Sequence, residues 1–261
     1  MRRQLRQRAR RPTRLGPMAD AVRAQGPRRG RGGGTRMNGM RIGILGTGHV
    51  GRALAGGWAR AGHDVVVGSR RPDDPELTKR LEDLIEAGVR IDVPAGTAAH
   101  AEVLVNATPG TASVALLHTI GAPALAGKVL FDVAVGFLED GTLSHPLVSL
   151  GEEIQQAFPD THVVKTLSTI DRGLMVAPDS LEGPSTVFLS GEDPSAKETV
   201  CGLLHDLGWP DGSLLDLGGI ETARGQEHFA LLFMGIAAAT GTYGFGIRVV
   251  LPNAGTRAPT G

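Results

Sequence analysis

The sequence predicts an α/β protein built on a doubly wound, Rossmann-type parallel sheet with a small C-terminal helical segment. Three observations carry this reading. From Met40 onward, short apolar runs alternate with stretches of helical periodicity. A glycine-rich turn, Gly46-Thr47-Gly48-His49-Val50-Gly51, lies between the first apolar run and the first helical stretch. Aromatic residues make up only 4% of the chain while Gly, Ala and Val abound, a mixture suited to strands buried on both faces under closely packed helices.

The elements follow in order. Met40–Leu45 reads as a strand and Val50–Ala61 as a helix of small residues. Asp64–Gly68, "DVVVG", is a second strand. Pro75–Ala87 places Leu77, Leu81, Leu84 and Ile85 at helical spacing with charges elsewhere, which predicts one amphipathic helix. A short helix over Thr97–Ala101 precedes the strand Val103–Ala107, and Thr111–Ile120 is helical. Lys128–Val135 is a strand, Ser149–Phe158 a helix and His162–Thr166 a strand. "STVFLSG" is a strand ending at Gly191, followed by a helix with Pro194 in its first turn and a last short strand within Ser213–Gly218. Beyond Gly219 the pattern changes to a largely apolar helix over Gln226–Thr240. Such a helix is unstable alone, so it is expected to pack on the core or across a homo-oligomer, a dimer. The expected division is therefore an extension over 1–36, a nucleotide-binding domain over 37–219 and a C-terminal segment over 220–261.

The charge is uneven. Residues 1–36 hold twelve arginines and one acid, for +11, and the remainder carries −11. The first segment has almost no apolar periodicity, so disorder is expected there. It reads either as an arm for nucleic acid or an anionic surface, or as an over-long start with Met37 or Met40 as initiator; a transit peptide fits less well. The acidic remainder argues against nucleic-acid binding by the domain itself. The single cysteine, Cys201, excludes an intramolecular disulfide and makes a reducing compartment the default. No window approaches about 18 consecutive apolar residues, so no membrane helix is expected and a cytoplasmic protein is.

The glycine turn fits G-x-G-x-x-G in the strand–turn–helix context that gives it meaning. Gly46 permits the tight turn, Gly48 lets backbone approach a pyrophosphate, and Gly51 lets helix pack on strand. A site for NAD usually ends its second strand in Asp or Glu. Here the strand runs into Ser69-Arg70-Arg71: a hydroxyl, a planar guanidinium matched to a phosphate dianion, and a second charge. A carboxylate would repel the 2′-phosphate that these residues attract, so the expected cofactor is NADP(H). Further ligand-facing loops are expected at other strand ends: Asn106–Thr111, Asp132–Gly136 and Thr166–Ile170. Lys165 reads either as a partner for an anionic group on the second substrate or a phosphate, or as a lysine snorkelling to the sheet edge. His63 reads as a turn residue, Asp171-Arg172 as a local surface pair, and Arg224 with Glu227 as a helix-start and interface pair. No Cys/His spacing suits a metal, and no nucleophile motif appears.

The ordered set "IGILGTGHVGRALAGGWARAGHDVVVGSR", "VVKTLSTI", "FLSGEDPSAK", "LGWP" and "TARGQE" resembles the NADPH-dependent coenzyme F420 reductases, or F420-dependent NADP oxidoreductases, from about Met40 to Val250. The resemblance implies a Rossmann domain that passes hydride directly between NADP(H) and a deazaflavin. It implies that Thr47, Gly48, His49 and Val50 line the pyrophosphate and nicotinamide side, that Ser69 and Arg70 hold the 2′-phosphate, and that Thr108 and Pro109 border the nicotinamide. It also implies that the turn Thr166-Leu167-Ser168-Thr169 lies where the deazaflavin stacks. The chain departs from the family pattern at Ser168, where many members carry Asn, and at Gly219-Ile220-Glu221. Hydride transfer between two stacked rings needs orientation rather than a catalytic side chain, and none is assigned. The alternatives are an NADPH-dependent reductase of a flavin, an imine or a ferric chelate, and a non-catalytic NADPH-binding sensor.

Overall fold

A computed structural model describes residues 39–252; the arginine-rich segment 1–36 lies outside them. The strands are β1 (Arg41–Leu45), β2 (Asp64–Gly68), β3 (Arg90–Asp92), β4 (Val103–Asn106), β5 (Val129–Asp132), β6 (His162–Thr166), β7 (Val187–Ser190) and β8 (Leu214–Asp216). The helices are α1 (His49–Ala61), α2 (Pro75–Arg80), α3 (Glu82–Glu86), α4 (Pro94–His100), α5 (Gly110–Ile120), α6 (Ala122–Leu125), α7 (Leu150–Ala157), α8 (Arg172–Met175), α9 (Pro194–Asp206) and α10 (Ala223–Thr240). The strands form one sheet in the order β3-β2-β1-β4-β5-β6-β7-β8.

The strands are apolar on both faces because both are covered. Ile42 and Ile44 of β1, Val103 and Val105 of β4, Phe131 of β5 and Val164 of β6 join Leu54, Trp58, Leu203 and Leu204 in one core. Their neighbours along each strand, Leu45, Leu104, Leu130 and Val163, join Leu117, Leu150, Ile154 and Phe158 in a second core on the other face. The period-2 alternation of a strand thus feeds both layers. Trp58 sets its ring edge against Phe131, centroids 5.4 Å apart, and its indole N–H donates to the Leu203 carbonyl at 3.0 Å.

Order reverses between β1 and β4, both of which leave the sheet at its carboxyl edge. Helices α1 and α5 start there, and in an open α/β sheet this reversal opens a crevice.

Three features differ from the sequence expectation. The region Pro75–Ala87 is two short helices rather than one, broken at Leu81, whose side chain is buried and whose backbone leaves the helical region (φ −108°, ψ 12°). The edge strand β3 escaped notice because its sequence, Arg-Ile-Asp, is polar and largely exposed. The sheet is not wholly parallel: β7 runs antiparallel to β6, and β8 follows β7. Between β6 and β7 the longest helix is the four-residue α8, about 6 Å long, too short to carry the chain back along the sheet.

Candidate functional site

At the crevice, Gly46 adopts φ +121°, and a Cβ on it would fall 2.4 Å from the Ala107 carbonyl oxygen. A Cβ on Gly51 would fall 2.2 Å from the Gly46 carbonyl oxygen, so this glycine lets the first turn of α1 close against the loop. Gly48 differs: a Cβ there would meet nothing within 4 Å. Its surface is open to an incoming group. Gly48 is also the N-cap of α1 and supplies no side-chain acceptor, and the first turn holds no acid. The first amides of this 13-residue helix therefore face the crevice with their hydrogen-bonding capacity and the positive end of the helix dipole available to an anion.

One cleft of about 990 Å³ gathers the predicted elements: the turn from Gly46 to Val50, Ser69, Arg70 and Arg71, and Thr108 with Pro109. Arg70 and Arg71 are exposed, and the Arg71 amide donates to the Ser69 hydroxyl at 3.1 Å, which fixes the turn. Arg70 has no ion pair among the described residues, and Arg71 only a 3.8 Å approach to Asp74. The sequence reading missed a third cation. Arg80, at the end of α2, lines the same cleft with its guanidinium 3.4 Å from the Thr47 hydroxyl. Only the fold of 72–81 back toward the glycine turn reveals it. Three cations around one mouth suit a dianionic group.

On the other side of α1's start, Thr108 is tied down. Its hydroxyl donates to Asn106 Oδ1 at 2.6 Å and lies 2.9 Å from the Ser113 hydroxyl. Asn106 in turn donates to Asp132 Oδ1 at 2.9 Å.

The turn expected to face the second substrate does not line the cleft. In the turn Thr166–Thr169, all but Ser168 are buried, and none of the four lines the cleft. The lining passes to the following residues, Ile170, Asp171 and Arg172, joined by Phe233 from α10. Asp171 caps α8 by accepting from the Gly173 amide at 2.8 Å, so the pair read as surface residues forms a wall of the cleft instead. The turn itself is strained: Leu167 stands at φ +56°, rare for a branched residue, and the Thr166 and Ser168 hydroxyls are enclosed without a hydrogen-bond partner among the described residues.

Lys165 neither snorkels nor reaches the cleft. It is fully buried, 2.7 Å from Asp132 Oδ2 and 2.8 Å from Glu227 Oε1, and it also donates to the Ala134 carbonyl. Burial alone would lower its pKa, but the two carboxylates outweigh burial and hold it above the ordinary lysine value. Burial pushes the Asp132 carboxyl up by more than the ammonium pulls it down. Arg224 and Glu227 do not pair with each other: Arg224 binds Glu152, and Glu227 binds Lys165. His63 is a buried turn residue 3.1 Å from Asp206. Burial raises the Cys201 thiol to about 11, which leaves it a poor nucleophile. Among the described residues, no group of three His, Cys, Asp or Glu could hold a metal ion, and no helix is long and apolar enough to cross a membrane.

Comparison with known proteins agrees with this geometry. Residues 41–136, which hold the glycine turn, the cations and the Thr108 turn, match the family described as NADP oxidoreductase, coenzyme F420-dependent. A solved structure of a candidate F420-dependent NADP-reductase from Arthrobacter sp. FB24 is 40% identical, with a TM-score of 0.75, and the match covers 82% of this chain and 100% of that one. Among curated proteins, rat metalloreductase STEAP3 is 30% identical over 191 residues, 73% of this chain and 36% of that protein. The glycerol-3-phosphate dehydrogenase [NAD(P)+] of Azorhizobium caulinodans is 28% identical over 207 residues, 76% of this chain and 60% of that protein. The chain thus spans about a third and three fifths of these curated relatives. An imine reductase of Streptomyces aurantiacus, 16% identical with a TM-score of 0.55, shares the fold. With its nucleotide crevice, its cationic strand end and a full-length match to a solved relative, the chain belongs to the family of coenzyme F420-dependent NADP oxidoreductases.

Proposed function

We propose that this protein transfers hydride between NADP(H) and the deazaflavin coenzyme F420. The observation that carries the reading is one cleft shared by the open Gly48 surface, the Ser69–Arg71 cations, the Thr108–Pro109 turn and a further wall of Ile170, Asp171, Arg172 and Phe233. In this reading the amides at the start of α1 hold the pyrophosphate, with Thr47, His49 and Val50 beside it. Ser69 and Arg70 hold the 2′-phosphate, and Arg71 adds charge. Thr108 and Pro109 border the nicotinamide, which when bound supplies or accepts the hydride. Ile170 and Phe233 exclude water and offer an apolar surface to a flat ring, while Arg172 suits an anionic tail on the acceptor. The buried Thr166–Thr169 turn acts behind them by placing Ile170. No side chain forms a bond to substrate, so the protein's contribution is orientation and a dry cleft.

The test mixes the purified protein with NADPH and oxidised F420 and follows loss of the deazaflavin's visible absorbance, with flavin mononucleotide, a cyclic imine and a ferric chelate as parallel arms. Turnover of F420 alone is the expected result. Turnover of another acceptor alone would replace the substrate and leave the NADP(H) assignment standing. NADPH binding with no turnover in any arm would reduce the protein to a sensor.

A further inference from the structure

Strand register assembles a polar row that no single segment of the sequence displays. At the carboxyl edge of the sheet, Asn106 of β4 pairs with Asp132 of β5, Asp132 with Lys165 of β6, and Lys165 with Ser190 of β7. All four are fully buried. Registered partners on neighbouring strands point to the same face, and here the first three are in contact: Asn106 donates to Asp132, and Asp132 meets the Lys165 ammonium. Helix α10 covers the row with two consecutive side chains. Gln226 donates to Ser190 Oγ at 2.8 Å and to the Lys165 carbonyl at 3.2 Å. Glu227 meets the Lys165 ammonium and also accepts from the Leu150 and Gly151 amides at 2.8 and 3.1 Å, capping α7.

The row contacts the Thr108 turn directly and lies close along the chain to the other walls. Asn106 holds the Thr108 hydroxyl. Lys165 stands two residues before the strained Leu167, which leads into Ile170. Glu227 stands six residues before Phe233, about 9 Å along the helix. An apolar core of the same volume would avoid the desolvation of three charges, so stability alone does not account for the cluster. A charged row with directional contacts instead admits one seating of α10 on the sheet.

We propose that Lys165, with Asp132 and Glu227, is a positioning device that sets the Thr108 turn, the Leu167 turn and Phe233 against one another around the acceptor. The proposal rests on the acceptor wall described above but not on which acceptor is used.

The test compares Glu227→Gln, which removes one charge from Lys165 and leaves only one of the two oxygens that accept from the α7 amides, with Trp58→Phe, a buried change on the opposite face of the sheet. Hydrogen exchange supplies a readout free of any acceptor. Glu227→Gln is expected to speed exchange in residues 167–172 and 226–245 while leaving β1 and β2 protected, and Trp58→Phe is not expected to give that pattern. With oxidised F420 as the probe, Glu227→Gln is expected to lower kcat/KM at least about tenfold, since misplacement by about 1 Å costs up to a hundredfold. Its NADPH affinity should stay within about threefold. Glu227→Asp, which restores the charge, should recover part of the loss. Exchange in Glu227→Gln that matches the Trp58→Phe pattern, or a transfer rate equal to that control at equal thermal midpoint, would overturn the proposal. If the wild type fails to reduce F420, the acceptor assignment falls while the exchange result still decides the positioning role.

Discussion

Two places along the carboxyl edge of one sheet treat positive charge in opposite ways. At the end of β2, the Arg70, Arg71 and Arg80 guanidinium groups lie exposed around the cleft, held only by a 3.8 Å approach to Asp74 and a 3.4 Å contact with Thr47 among the described residues. At the end of β6, the Lys165 ammonium is wholly buried and its three donors meet two carboxylates and a carbonyl. Water solvates the first set at little cost and leaves it free to exchange solvent for a phosphate. Burial leaves the second no such freedom: its counter-ions had to be built into the chain. The first place is therefore suited to recognition and the second to internal geometry.

The sharpest way to break this contrast is Lys165→Met. It leaves Asp132 and Glu227 buried without their cation and should cost about 3–5 kcal/mol, read as the free energy of urea unfolding. A loss below about 1 kcal/mol would show that the cluster relaxes or hydrates, and the contrast would fail. Next comes Arg70→Ala, which should leave stability unchanged and weaken NADPH about tenfold to a hundredfold while sparing NADH, as fluorescence titration measures. Equal losses for both cofactors would remove the 2′-phosphate from this mouth. Phe233→Ala should leave NADPH affinity within about threefold and raise the KM for the acceptor several-fold; an unchanged KM would move the acceptor away from α10. Arg80→Ala should weaken NADPH by a smaller factor than Arg70→Ala, because its contact with the glycine turn is long.

The pH dependence sharpens the same comparison. Lys165 has its pKa raised above 10.5 in the folded state, because the carboxylates outweigh burial. Its contribution to stability is then fully present below that ordinary lysine value and is lost as pH rises through the higher folded-state value. Thermal midpoints scanned upward through the lysine range should fall more steeply for the wild type than for Lys165→Met. The smallest effect is expected from Arg224→Ala, whose guanidinium is half exposed to solvent where it pairs with Glu152: the thermal midpoint should fall far less than in Lys165→Met.

Much of the fold was legible because its signals are local. Apolar runs, turn glycines and helix starts each occupy a few adjacent residues, and so do the glycine turn and the Ser69–Arg71 cations; a βαβ unit brings its own two ends together. Where the reading slipped, the deciding contact was distant. No Gly or Pro marks the break at Leu81 in the sequence, and the polar sequence of β3 became a strand by pairing with β2. The antiparallel entry of β7 depends on how far α8 can carry the chain.

The site divides along the same line. The sequence alone determined the glycine turn after β1 and the cationic end of β2, since backbone conformation and charge type at adjacent positions suffice for these. Tertiary structure alone decided that Arg80 returns to the glycine turn, that Phe233 rather than Ser168 faces the cleft, and that Lys165 is locked between Asp132 and Glu227. Those three residues are brought together from β5, β6 and α10 across 96 positions of chain by strand register and helix packing, and no spacing within one segment encodes such a meeting.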